Sequence, residues 1–143
     1  LFSKAKIQGL LGLAQAEFRL RDFPRVKRLL LSYQAMEPMS PLCYYLLARI
    51  YEKERNFDEA VTRFKDAVRL GLNTINTIDI IKRLLKISLH IQAKDDIIQY
   101  IIIIHKEFKK RLNRIERLNK KPKYFRKIQK KLEFLVKSLE KYV

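Results

Sequence analysis

The sequence is poor in the residues that make turns, with three glycines and four prolines in 143 positions. A sandwich or barrel needs a turn after every short strand, and turns favour those two residues, so an all-β fold is disfavoured. The single cysteine, Cys43, excludes an intrachain disulfide framework and any multi-cysteine zinc site, and it leaves the redox compartment open. Tryptophan is absent, and the two histidines, His90 and His105, have no Glu or Cys at metal-ligand spacing. No HExxH, GxSxG or glycine-rich phosphate loop occurs. No metal, cofactor or small-molecule substrate is therefore implied, and catalysis finds no support. No apolar run approaches the roughly 20 residues of a membrane-spanning helix. The densest, Ile101 to Ile104, is a single turn long. No signal peptide is visible, but the first residue is Leu1 rather than Met, so the chain reads as a piece of a longer protein. Cytoplasm and bacterial cell envelope both stay open.

What the sequence does hold is helical period. Apolar residues make up 48% of the chain, enough to fold, and its length suits one domain, 1–143. Ile7, Leu10, Leu11, Ala14 and Phe18 recur at spacings of three and four, as do Val61, Phe64 and Val68, and Ile81, Leu84, Leu85 and Leu89. Short breaks with turn chemistry separate these segments. Ser40 suits an N-cap before Pro41 at a first helical position. The pattern predicts seven helices, over about 2–20, 24–36, 41–54, 57–70, 75–92, 95–117 and 123–142.

The segments pair, and the pairs repeat. Asn56-Phe57 follows Asp22-Phe23 by 34 residues, and Leu47-Ala48 follows Leu13-Ala14 by the same interval. Within residues 41–72, Tyr44, Leu47, Ala48, Tyr51, Ala60, Phe64 and Ala67 stand where a 34-residue helix-turn-helix unit places its aromatic, leucine and small residues. Ala48 and Ala60 suit a close crossing of two antiparallel helices, which only small side chains permit. The chain thus resembles the tetratricopeptide repeat family, with repeats at about 7–38, 41–72 and 79–110. In the first repeat Glu17, Val26 and Tyr33 stand where an aromatic and two small residues are expected; Val26 and Tyr33 are expected to push its helices slightly apart, or Phe18 to supply the missing aromatic. The third repeat aligns only if the connection after Leu70 carries four extra residues, with Leu85, Leu89, Ile98 and Ile102 then falling on core positions. The resemblance implies an all-α helical-hairpin solenoid, with three helix pairs and a C-terminal capping helix over 123–142.

The resemblance further implies a protein-interaction scaffold whose first helices line a concave groove. Carried over residue by residue, the groove positions are Gln8, Leu11, Gln15, Phe18 and Arg19, then Leu42, Tyr45, Arg49, Glu52 and Lys53, then Ile80, Arg83, Ile87, His90 and Ile91. The expected contacts are Leu11, Gln15, Phe18, Arg19, Tyr45, Arg49, Lys53, Arg83, Ile87 and His90. Chaperone-tail binders of the family grip a terminal carboxylate with Lys, Asn and Arg. The matching positions here are Leu11, Gln15, Leu46, Ile80 and Leu84, four of them apolar. The expected partner is instead an apolar or helical protein segment with acidic residues.

Charge is unevenly distributed within a net +17. Between Lys106 and Lys131 lie 13 basic residues and two acidic ones, Glu107 and Glu116. Lys109, Lys110, Arg111, Arg114, Arg117, Lys120, Lys121, Lys123, Arg126 and Lys127 form a basic patch. Such a patch offers an alternative function, binding nucleic acid by counterion release or meeting an anionic membrane surface or acidic protein. The bland alternative is a solvated surface, since abundant Lys and Ile resemble protein composition from AT-rich bacterial genomes, spirochaetes among them. Cys43 lies on a predicted first helical turn, where a thiol pKa can fall, although a small buried residue explains it as well. Asp95 and Asp96 suit a helix start through the helix dipole.

Overall fold

A computed structural model describes residues 4–92 and 94–118, together with Lys130, Glu133, Phe134 and Lys137. Every described element is helical. The six helices are α1 (Lys4–Arg19), α2 (Phe23–Met36), α3 (Pro41–Lys53), α4 (Phe57–Arg69), α5 (Thr74–Ser88) and α6 (Lys94–Leu118). Most of the predicted seventh helix, 123–142, lies outside the described residues, with Phe125, Ile128, Leu132, Leu135 and Leu139 among those not described. The four described positions within that span are helical. The chain divides into two compact units, Leu1–Arg83 and Leu84–Val143.

The helix boundaries follow from local chemistry. The Asp22 carboxylate accepts from the Arg25 backbone N–H at 3.4 Å and caps α2. The Ser40 hydroxyl accepts from the Cys43 N–H at 3.4 Å and caps α3, with Pro41 opening the helix. Three helices are followed by a residue in the left-handed region. Arg21, Arg55 and Gly71 follow α1, α3 and α4 with φ of 64°, 60° and 92°. The Asn56 N–H reaches back to the Tyr51 carbonyl at 2.9 Å, and the Arg55 N–H to that of Glu52 at 3.0 Å. Leu72 and Gly71 do the same to Ala67 and Val68. This left-handed closure satisfies carbonyls that the helix ends would otherwise leave open. Arg21 and Arg55 lie one 34-residue interval apart, so the period is carried by the backbone as well as by side chains.

In the first unit α1 packs on α2, α2 on α3, and α3 on α4. Ala14, Val26, Leu30, Leu47, Ala48, Ile50, Ala60, Phe64 and Ala67 are fully buried. Val26 and Tyr33 are therefore core residues of their pair. Tyr44 ties α3 to the end of α2, donating to the Pro38 carbonyl at 3.0 Å and accepting from the Gln34 amide at 3.2 Å. Cys43 is fully buried, and its thiol donates to the Leu30 carbonyl at 3.3 Å. Burial pushes that thiol up to about 12, against the opposing charge of Arg63. Its place on the first turn of α3 does not lower it, because loss of water outweighs the helix dipole.

Two expectations around α5 need correction. The connection from α4 to α5 is as short as that from α2 to α3, so it holds no extra residues. Helix α5 also stops at Ser88 rather than near residue 92. The Ser88 hydroxyl takes the Leu85 carbonyl at 2.6 Å, while the Leu89 and His90 N–H groups make tight bonds three residues back. Leu89, expected in the core, is consequently 75% exposed.

In the second unit, Leu84, Ile87, Ile97, Ile98, Ile101, Ile104 and Phe108 are buried, with Ile102 and His105 at the margin of the core. Asp95 and Asp96 stand in the first turn of α6. Lys109 on α6 pairs with Glu133 at 2.9 Å.

Candidate partner-binding site

In the first unit a cavity of about 230 Å³ is lined by Gln15, Phe18, Arg19, Leu42, Tyr45, Leu46, Arg49 and Asn76. Helical spacing accounts for the lining. Gln15, Phe18 and Arg19 lie on one face of α1, and Leu42, Tyr45, Leu46 and Arg49 on one face of α3. Asn76 comes from the first turn of α5.

Arg49 is the chemical centre of this lining. Its guanidinium carbon lies over the Phe18 ring, 4.5 Å from the centroid, and 5.7 Å from that of Tyr45. Its buried Nε has no hydrogen-bond partner among the described residues. Phe18 also meets Phe23 in a T-shaped contact at 5.4 Å, which helps hold the ring in place.

A polar network stands beside the cavity. The Tyr45 hydroxyl donates to the Asp79 carboxylate. Arg83 donates through Nε to Asp79 at 2.7 Å and through Nη1 to Glu52 at 2.8 Å. Burial opposes ionisation of Asp79, but the hydrogen bonds from Tyr45 and Arg83 outweigh it and hold the carboxyl below its usual value. Burial, reinforced by Asp79, pushes the Tyr45 phenol up to about 12. Burial also works against the charge on Arg83, yet its two carboxylate partners raise its pKa further.

Of the ten expected contact residues, the cavity gathers Gln15, Phe18, Arg19, Tyr45 and Arg49. Leu11 is largely buried and Lys53 is exposed, and neither lines it. Arg83 donates to two carboxylates of the same unit, Asp79 and Glu52, and does not line the cavity. Ile87 is 1% exposed within the second unit's core, and His90 is exposed in the turn after α5. Leu46 and Asn76 were not among the expected groove positions, and Asp79 was not expected to have any role. Its signal was present, since Asp79 lies 34 residues after Tyr45.

In the basic region, Lys109 and Lys110 are exposed on α6, Lys109 in its pair with Glu133. Arg111, Arg114 and Arg117 also belong to α6. Lys120, Lys121, Lys123, Arg126 and Lys127 lie outside the described residues. Among the described residues, no three His, Cys, Asp or Glu side chains gather to hold a metal ion, and no helix is long and apolar enough to cross a membrane.

The chain matches no protein-family model, no curated protein and no solved structure.

Proposed function

We propose that the chain is a non-catalytic protein–protein interaction scaffold, a tetratricopeptide-like stack of helix pairs that holds a segment of another protein against the face formed by α1 and α3. The observation that carries this reading is Arg49, pinned between Phe18 and Tyr45 in the wall of an open cavity with its Nε unbonded. Aromatic and Arg side chains concentrate binding energy at interfaces, where a few such anchors outweigh the surrounding contacts. Leu42 and Leu46 add apolar wall beside them, and the Gln15 and Asn76 amides add hydrogen-bonding groups. The 34-residue recurrence of the turn residues Arg21 and Arg55 supports a repeat of one helix-pair design.

The test is site-specific photocrosslinking from position 15, an exposed residue on the cavity rim. A partner identified by mass spectrometry should crosslink from position 15 and be lost when Phe18 and Arg49 are both replaced by Ala. A partner captured equally well by the double variant would place the binding surface elsewhere.

A further inference from the structure

Arg49 and Arg83 stand 34 residues apart, on α3 and α5, and their electrostatic situations are opposite. Arg83 holds two carboxylates, Asp79 and Glu52, at 2.7 and 2.8 Å. Within the described residues Arg49 makes no ion pair, and its buried Nε donates to no acceptor. The acids of the neighbouring network are engaged with other donors, Asp79 with Tyr45 and Arg83 and Glu52 with Arg83; the Arg49 charge helps hold the Asp79 carboxyl low, but no hydrogen bond joins the two among the described residues. The rings beside Arg49 do not satisfy it either. Stacking engages the face of a guanidinium, while its N–H groups lie in the plane and call for an acceptor at the edge.

The cavity suits such an acceptor. Arg19 contributes a second cation, and among the described residues no acidic side chain lines the wall. Its volume of about 230 Å³ lies below the about 300–1,000 Å³ usual for small-molecule sites, so it takes a side chain more readily than a whole cofactor. Leu42, Leu46 and Phe18 give apolar wall for the methylene stem and for a neighbouring residue. A planar carboxylate matches the two terminal Nη groups of a stacked guanidinium in two parallel hydrogen bonds.

We infer that the cavity recognises the carboxylate of an Asp or Glu side chain flanked by an apolar residue in a partner protein, with Arg49 as the primary contact and Arg19 as the second. This rests on the scaffold reading above and adds the chemistry the partner must present.

The experiment pans a random dodecapeptide library on the complete chain, in salt of about 0.3 M so that long-range attraction to a basic protein is screened. Selected peptides are synthesised, and binding is measured by fluorescence anisotropy. The expected peptides carry Asp or Glu beside a Leu, Ile or Phe. Changing that acid to its amide should weaken binding about tenfold, and Arg49→Gln in the protein should do the same without adding to it in the double variant. Arg49→Lys keeps the charge but loses the planar fork, so it should still weaken binding severalfold. Arg19→Gln, at an exposed position, gives an independent severalfold loss if Arg49→Gln perturbs folding by circular dichroism.

Peptides that bind through Phe18 yet tolerate the acid-to-amide change would overturn carboxylate recognition and leave the scaffold reading standing. Selection of no peptide would overturn both. Additive effects of the peptide and Arg49 changes would show that the acid is held elsewhere. Saturation by succinate alone, or preference for a phosphoserine peptide over its glutamate counterpart, would overturn the assignment in favour of a small-anion or phosphate site.

Discussion

Tyr45 on α3 donates its hydroxyl to Asp79 on α5, a residue one 34-residue interval further along the chain. The bond joins α3 to α5 directly. Asp79 also takes Arg83, which reaches back to Glu52 on α3, so four side chains close a loop between the two helices. All four are at least partly buried, and each charged group has an opposite partner. A network of this kind holds its helices in one register only while it is complete, because a half-satisfied one leaves a buried group without a partner.

Tyr45→Phe should therefore destabilise the first unit by about 1 kcal/mol, removing one donor from a carboxylate that keeps Arg83. Asp79→Ala should cost more, about 2–3 kcal/mol, because it strands both the Tyr45 hydroxyl and the Arg83 Nε. Urea midpoints of the two single variants and the double variant check this. The double variant should cost less than the sum, and strict additivity would show that the two side chains act independently.

The same network sets a pH dependence with opposite signs at the two ends. Asp79 is held below its ordinary value, so its stabilisation is present above the unfolded carboxyl pKa near ~3.9 and is lost as the pH falls from there. Tyr45 is raised from 10.0 to about 12. Its unfolded phenol gives up a proton first, so stability falls as the pH rises between those two values. Asp79→Asn should flatten the acid limb of stability against pH, and Tyr45→Phe the alkaline limb. An alkaline limb unchanged in Tyr45→Phe would assign that loss to other groups.

Much of this was readable beforehand, and the failures have specific causes. Helices α1 to α4 follow from three-and-four apolar spacing punctuated by Asp22, Ser40 and Pro41. Those residues act through local geometry that sequence expresses directly. The end of α5 was misplaced because Leu89 and Ile91 continue the apolar period, while the hydroxyl of Ser88 and two short backbone bonds stop the helix first. That error also put Leu89 in the core. Five of the eight cavity residues were expected contacts because they share faces of α1 and α3. Asp79 was missed because four extra residues were assumed after Leu70, which set Arg83 rather than Asp79 opposite Tyr45. The unbonded Nε of Arg49 was beyond sequence reading, since it depends on how side chains of α1 and α3 pack around the guanidinium.

Arg21 closes α1 in a left-handed conformation, φ 64°, that a side chain with a Cβ adopts at a cost of roughly 1–2 kcal/mol. Gly71 performs the same closure after α4 with no Cβ to strain. Arg21→Gly should therefore stabilise the chain, by about 0.5–1 kcal/mol after the glycine's greater unfolded freedom is counted. Arg21→Val, branched at the strained position, should destabilise it. Thermal unfolding of both variants measures the difference, and a lower midpoint for Arg21→Gly would show that the arginine side chain contributes a contact of its own.

Ala48 and Ala60 are both fully buried on the packed pair α3 and α4. Ala60→Leu adds three carbons where no exposed volume remains, so it should overpack the pair and cost about 1–3 kcal/mol. Ala16→Leu, at an exposed position on α1, serves as the control and should be nearly neutral. A neutral Ala60→Leu would mean that the pair can separate to admit the larger side chain.

Cys43 offers a direct view of how firmly α2 and α3 hold together. It is the only cysteine, it has no exposed surface, and its thiol is bonded to the Leu30 carbonyl of α2. Only the thiolate attacks a disulfide reagent, and burial lifts this thiol to about 12. At neutral or mildly alkaline pH the folded site is thus closed twice, by access and by protonation. Ellman's reagent should react with native protein only through opening, far more slowly than with protein in urea. If α2 and α3 separate only on unfolding of the first unit, the native labelling rate should rise with urea as steeply as that unit's unfolding constant does. A labelling rate that is slow but insensitive to urea would mean instead that a local fluctuation at the α2–α3 contact exposes Cys43 while the remaining helices stay packed. In that case Leu30→Ala, which removes apolar packing beside the thiol, should speed labelling more than it lowers the urea midpoint.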